Sequence, residues 1–145
     1  MKPFQLDTVL DHRKRLEDIA AGRLFTAQKE KKIIKEKLYT ENRKLDSLIR
    51  KAEELQSKTI PILDLINYEN QISFLKNNIL AITKKLQEKS KTLRQERQKL
   101  IEKSKERQIM ESLKEQQNRL WRQYLDKKEA AMLDEIAIVR YDGER

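Results

Sequence analysis

His12 is the only histidine in the chain, and an imidazole is the usual side chain for moving a proton near neutral pH. It lies in "LDHRKRLED", where acids and bases crowd both sides. No serine, cysteine or ligand set stands at a spacing that would give it a triad or metal role, so it is expected to be a surface residue. The carboxylate pairs Glu17–Asp18 and Glu53–Glu54 could in principle share acid–base work. Neighbours on a helix point about 100° apart, however, and cannot converge on one reacting atom. With no cysteine there is no disulfide and no thiolate metal site. No phosphate loop or nucleophile motif appears. The chain is expected to be a non-enzyme with no metal and no cofactor.

Two other stretches carry binding chemistry instead. The chain is +9 overall, and residues 84–128 account for most of it, with 15 basic against 7 acidic residues. Such an arm suits an anionic partner. Nucleic acid is disfavoured, because Glu88, Glu96, Glu102, Glu106, Glu111 and Glu115 interleave the cations. No aromatic residue between Leu75 and Leu120 could stack on a base. A solvated helix face explains the lysines without a partner. The second stretch is residues 58–83, which opens with "KTIPILDLINYENQISFLKNNI" over 58–79. It holds four charged side chains (Lys58, Asp64, Glu69, Lys76) in a chain that is 39% charged.

The elements that position these residues follow from periodicity. Two glycines and two prolines in 145 residues leave little with which to build turns, so sheets and doubly wound folds are excluded. Leu6, Val9, Leu16, Ala20, Leu24, Ala27, Ile34, Leu38, Leu45, Leu48, Ala52 and Leu55 recur at steps of three and four. A second stripe follows: Leu65, Tyr68, Ile72, Leu75, Ile79, Ile82, Leu86, Leu93 and Leu100, continuing out of phase as Met110, Leu113, Leu120 and Tyr124. Pro61 separates the stripes, because a proline cannot continue a helical hydrogen-bond ladder.

The expected fold is all-α: one antiparallel coiled-coil hairpin over 1–145, with a helix at about 7–57, a turn at about 58–61, a helix at about 62–138 and a short tail. Pairing positions whose numbers sum to 120 sets small residues on the first helix against large ones on the second, as Ala52 with Tyr68 and Ala27 with Leu93. Periodicity fixes that register only modulo seven; the short linker selects it. Lys31 would then face Lys89, an unfavourable layer. The seam comprises Leu38, Leu45, Leu48, Leu55, Leu65, Tyr68, Ile72, Leu75, Ile79, Ile82, Leu86, Leu93 and Leu100. Beyond about residue 117 the second helix has no partner in the chain. Trp121, Leu125, Met132, Leu133 and Ile136 leave apolar surface there to be covered. Ile66, Phe74 and Leu80 fall on the outer side of the second helix and form a candidate docking stripe. No apolar run approaches the ~20 residues of a membrane span, and "MKPFQLDTVLDHRKR" lacks the apolar core of a signal peptide.

Three places together resemble the flagellar FliJ family: "MKPFQLDTVLDHRKRLED" at the start, "LINYENQISFLKNNI" after the turn with Tyr68, Ile72, Leu75 and Ile79, and "MLDEIAIVRY" near the end with Leu133 to Ala137. The family's turn is often longer and glycine-bearing, where this chain has "SKTIPIL". The resemblance implies a small cytoplasmic component of the flagellar type III export apparatus, peripheral at the inner face of the cell membrane and not inserted in it. Its implied form is an antiparallel two-helix coiled coil similar to the central stalk of rotary ATPases. The implied partners are the hexameric export ATPase, the cytoplasmic domain of the export gate, and export chaperones. On that basis Phe4, Leu6, Trp121, Leu125, Met132, Leu133 and Ile136 are expected at the ATPase ring, and Ile66, Phe74 and Leu80 at the gate. The chain alone is expected to be a monomer. The alternatives are the equivalent stalk of a virulence-type secretion system, a generic structural coiled coil, and a basic nucleic-acid-binding helix.

Overall fold

The computed structural model describes residues 6–58 and 61–143. They form two α-helices, α1 over Asp7–Gln56 and α2 over Ile62–Gly143, arranged as an antiparallel hairpin with the second helix longer. Asp7 in the first turn of α1 and Asp64 in that of α2 place negative charge where each helix dipole is positive. The end of α1 is closed locally. Ser57 Oγ donates to the Glu54 carbonyl at 2.7 Å, and the Lys58 amide to that of Leu55 at 3.2 Å. Pro61 stands just ahead of α2, and its carbonyl accepts the Asp64 amide at 3.1 Å. A proline is tolerated there because an N–H at a helix start has no intrahelical acceptor. Thr59 and Ile60, part of the expected turn, lie outside the described residues. At the far end α2 runs through Ile138, Val139 and Tyr141, beyond the expected limit near 138.

The hairpin falls into two units. One is Ala20–Leu100, containing the turn; the other joins the described residues of Met1–Ile19 to those of Ile101–Arg145.

In the first unit the buried residues are Ala20, Ala27 and Ala52 on α1 and Leu75, Ile82 and Leu93 on α2. Small side chains on one helix and branched ones on the other let the backbones approach without voids. Leu38, Leu45, Leu48 and Leu55, with Leu65, Tyr68, Ile72, Ile79, Leu86 and Leu100, are half-buried. That is the ordinary state of a two-helix seam, where each side chain is covered from one direction only. The layer of Lys31 and Lys89 is relieved by an ion pair: Lys89 Nζ sits 2.9 Å from Glu30 Oε2.

The second unit is built differently. Leu10, at 2% exposure, is its one buried residue among those described. Half-buried around it are Arg13, Leu16 and Glu17 on α1, and Lys103, Arg107, Met110, Lys114, Gln117 and Trp121 on α2. These α2 positions keep the three–four spacing that brings the stripe down to Leu100. The expected phase break therefore belongs to the apolar residues and not to the inward face. Leu113, Leu120 and Tyr124 are exposed, as are Leu6 and Val9 on α1, while polar side chains take most of the inward positions, among Leu10, Leu16, Met110 and Trp121. Ion pairs explain how they are tolerated: Arg13 with Glu106 at 2.9 Å, Arg107 with Glu17 at 2.7 Å and with Glu111 at 2.6 Å, and Lys114 with Asp7 at 3.2 Å.

The ion pairs between the helices also report the register, each within its own unit. Residues 30 with 89, 13 with 106, 7 with 114 and 17 with 107 sum to 119, 119, 121 and 124. Three of the four lie within one of 120, whereas a heptad slip would centre them on 113 or 127.

Candidate docking surfaces

In the unit that holds the turn, the first turns of α2 present an outer face without charge. Asp64, Glu69 and Lys76 are the charged residues between Ile62 and Thr83, and by helical spacing they flank the seam rather than stand opposite it. What stands opposite is Ile66, Asn70, Ser73, Phe74, Asn77 and Leu80. Ile66 is 46% exposed, Phe74 73% and Leu80 68%. One residue along, Leu75 is buried. A continuous helix separates the two sharply, since adjacent side chains diverge by about 100°. Ile62 and Leu63 extend the exposed apolar surface toward the turn. Neither is among the docking residues expected from sequence, because both adjoin Pro61 at the helix start. Their position one turn before Ile66 and about three turns before Phe74 is the signal that finds them.

Phe74 also borders an open groove between the helices, about 610 Å³ in volume. Leu48 and Leu75 contribute apolar surface to it, Asn70 and Gln71 neutral amides, and Lys44 and Lys51 positive charge. Lys44 is tethered 3.4 Å from Glu41. Ile66 and Leu80 do not line this groove. The three stripe residues are thus all exposed, but only Phe74 meets a concave feature there.

In the other unit, every residue from Arg122 to Gly143 is exposed. Leu125, Met132, Leu133 and Ile136 all lie there in helix without cover from α1. Trp121 marks the transition: it is half-buried and stacks on Tyr124, with ring centroids 5.3 Å apart. Leu6 is exposed at the start of the described chain, and Phe4 lies outside the described residues.

Between Leu10 and the overhang, charges hold the unit. The Arg107 guanidinium donates to Glu17 and holds its carboxyl below the usual carboxylate range; Ser104 adds a second hydrogen bond. The same contact raises Arg107 above its ordinary value. His12 is exposed. Among the described residues no group of histidine and acid side chains is placed to hold a metal, and no helix is long and apolar enough to cross a membrane. What the described surfaces present is apolar and charged side chains along helix faces.

No curated protein and no solved structure matches the chain. A family model does: the one described as flagellar FliJ protein matches residues 1–145, the whole length. A charged helical hairpin with apolar surface left uncovered at its turn and along its overhang thus belongs to the flagellar FliJ family, and so to flagellar protein export.

Proposed function

We propose that this protein is a non-enzymatic, stalk-like part of the export apparatus that couples the hexameric export ATPase to the export gate, working in the cytoplasm at the inner face of the membrane and engaging export chaperones. The observation that carries the reading is the uncharged outer face of α2, with Phe74 73% exposed in a chain whose residues are 39% charged. Desolvating such a face on a partner is favourable, and aromatic anchors concentrate binding energy. In this reading Ile66, Phe74 and Leu80 meet the gate's cytoplasmic domain, with Phe74 as the anchor because it alone of the three borders the groove. The overhang, with Leu125, Met132, Leu133 and Ile136, and the start of the chain, with Leu6 and Phe4, enter the ATPase ring. The support is the uncovered apolar surface of Leu6, Leu125, Met132, Leu133 and Ile136 together with the family's role in export; Phe4, outside the described residues, is included on the sequence resemblance alone.

The test sets neighbouring residues against each other. Phe74→Asp is expected to abolish capture of the gate domain and to change stability by no more than about 0.5 kcal/mol, as surface substitutions do. Leu75→Asp buries a carboxylate in the seam and is expected to lower the melting temperature sharply. Wild-type gate binding by a folded Phe74→Asp variant would remove the stripe from the mechanism.

A further inference from the structure

The overhang of α2 has a charge distribution that its apolar face alone does not explain. Residues 119–128 carry Arg119, Arg122, Lys127 and Lys128 against Asp126, a net of +3. Residues 129–143 carry Glu129, Asp134, Glu135 and Asp142 against Arg140, a net of −3. The two stretches, ten and fifteen residues long, are opposite in sign and joined in one continuous helix that is exposed from Arg122 onward. Leu125, Met132, Ile136 and Val139 fall within an arc of about 60° on that helix, and all four are exposed.

We propose that this overhang pairs with the overhang of a second copy of the chain, antiparallel, about a two-fold axis near residues 130 and 131. An isologous contact of this kind uses one patch twice, so the patch must complement itself. Antiparallel pairing does so: each basic half lies along the partner's acidic half, and Leu125 lies by the partner's Ile136. Parallel pairing would set +3 beside +3 and −3 beside −3, which repels. The apolar arc supplies the seam in either direction; the charges select the direction. A helix pair over about 20 residues buries on the order of 1,000 Å² in all, the low end for a specific interface. The dimer is accordingly weak, with a dissociation constant of about 10 μM or higher. It covers the same residues that the proposed ATPase contact needs, so self-pairing and ring entry exclude each other. The inference itself needs no ATPase and is tested without one.

The chain has no cysteine, so single cysteines report contacts cleanly. Leu125→Cys and Ile136→Cys are made separately in the full chain, at exposed sites where the helix tolerates them. Each is oxidised alone and in an equal mixture at ~100 μM. The mixture is expected to give the mixed disulfide several-fold more abundantly than either variant gives its own. Equal or greater self-crosslinking at each site would mean parallel or random encounter and overturns the proposal. Sedimentation of the unmodified protein gives the second measurement. The apparent mass should rise from 17.4 kDa toward twice that with concentration. Met132→Asp should abolish the rise, and Lys127→Glu with Lys128→Glu should weaken association about tenfold. A mass that stays at 17.4 kDa up to ~1 mM overturns the proposal as well.

Discussion

Glu96→Leu is expected to stabilise the unit that contains the turn, although it deletes an ion pair. Glu96 occupies an inward position between Leu93 and Leu100, and its side chain is only 17% exposed. In the observed register it stands opposite Leu24. Its cation is Lys99, three residues along the same helix at 3.7 Å and 57% exposed, so the pair is loose and solvent-facing on one side. Exposed pairs of that kind contribute about 0.2–1 kcal/mol. Against this loss, a leucine of similar length adds apolar surface to a site already mostly covered. Full burial of a leucine is worth about 1.5–3 kcal/mol, of which the glutamate stem already supplies part. Removing a carboxylate from partly desolvated surroundings adds further, as replacing inward charges by packed apolar groups commonly does. The balance is about 1–2 kcal/mol of stabilisation, or roughly 5–10 °C for a unit of this size. Circular dichroism melts of wild type and variant, each with a urea titration, measure it. A lowered melting temperature would mean that the carboxylate is better satisfied than its surroundings indicate. It would refute the assignment of position 96 to an apolar layer. A polar residue on an otherwise apolar seam can also fix register, so the variant's oligomeric state should be followed in the same samples.

Other outcomes follow from the same packing. Gly22 is helical and exposed, and a Cβ there meets nothing within 4 Å; Gly22→Ala should therefore stabilise by about 0.5–1 kcal/mol through the backbone alone, visible as a raised urea midpoint. Glu17 has a folded-state pKa below its ordinary 4.5, chiefly through Arg107. Its contribution is therefore complete above about pH 4.5 and is lost as pH falls through the lower folded value. Amide protection in residues 7–19, taken relative to the intrinsic exchange rate at each pH, should fall over that acid range in wild type, and Glu17→Gln should remove the pH step. Cysteines at Leu38 and Ile82 should close an intramolecular disulfide in dilute solution; dimeric products alone would show the register to be wrong.

Leu75, Ile82 and Leu93 are apolar residues at three–four spacing, and a spacing argument works well where apolar side chains supply the seam. It works less well toward the start of α1. There Leu6 and Val9 extend the apolar series in sequence, yet Leu10 is the side chain that is buried. The reason lies across the pair. On the inward face of α2 in that unit, Lys103, Arg107, Lys114 and Gln117 alternate with Met110 and Trp121, and hydrophobic periodicity cannot register the polar four. Arg107 sits at a seam position with Glu17 and Glu111 at 2.7 Å and 2.6 Å; Glu111 is its i+4 neighbour, but Glu17, the partner on the other helix, does not follow from local pattern. Exposed apolar residues were legible where they broke a charged background, as Phe74 did. Ile62 and Leu63 were not, because Pro61 beside them suggested a turn rather than a surface.

The charged inward face near Arg13, Glu17 and Arg107 has a consequence for how the two helices come apart there. Parting two leucine-lined surfaces exposes oil to water and is resisted over the whole contact. Parting these exposes ions to water, their best solvent; the apolar side chains uncovered are Leu10, which is buried, and Leu16, Met110 and Trp121, which are already half-exposed. The barrier is then set by breaking a few directional contacts, each screened at physiological ionic strength over about 8 Å. Each separated surface stays wettable and has little tendency to stick elsewhere. This end of the hairpin works as a fastener that opens and recloses without fouling, while the alanine–leucine layers of the other unit behave as a weld.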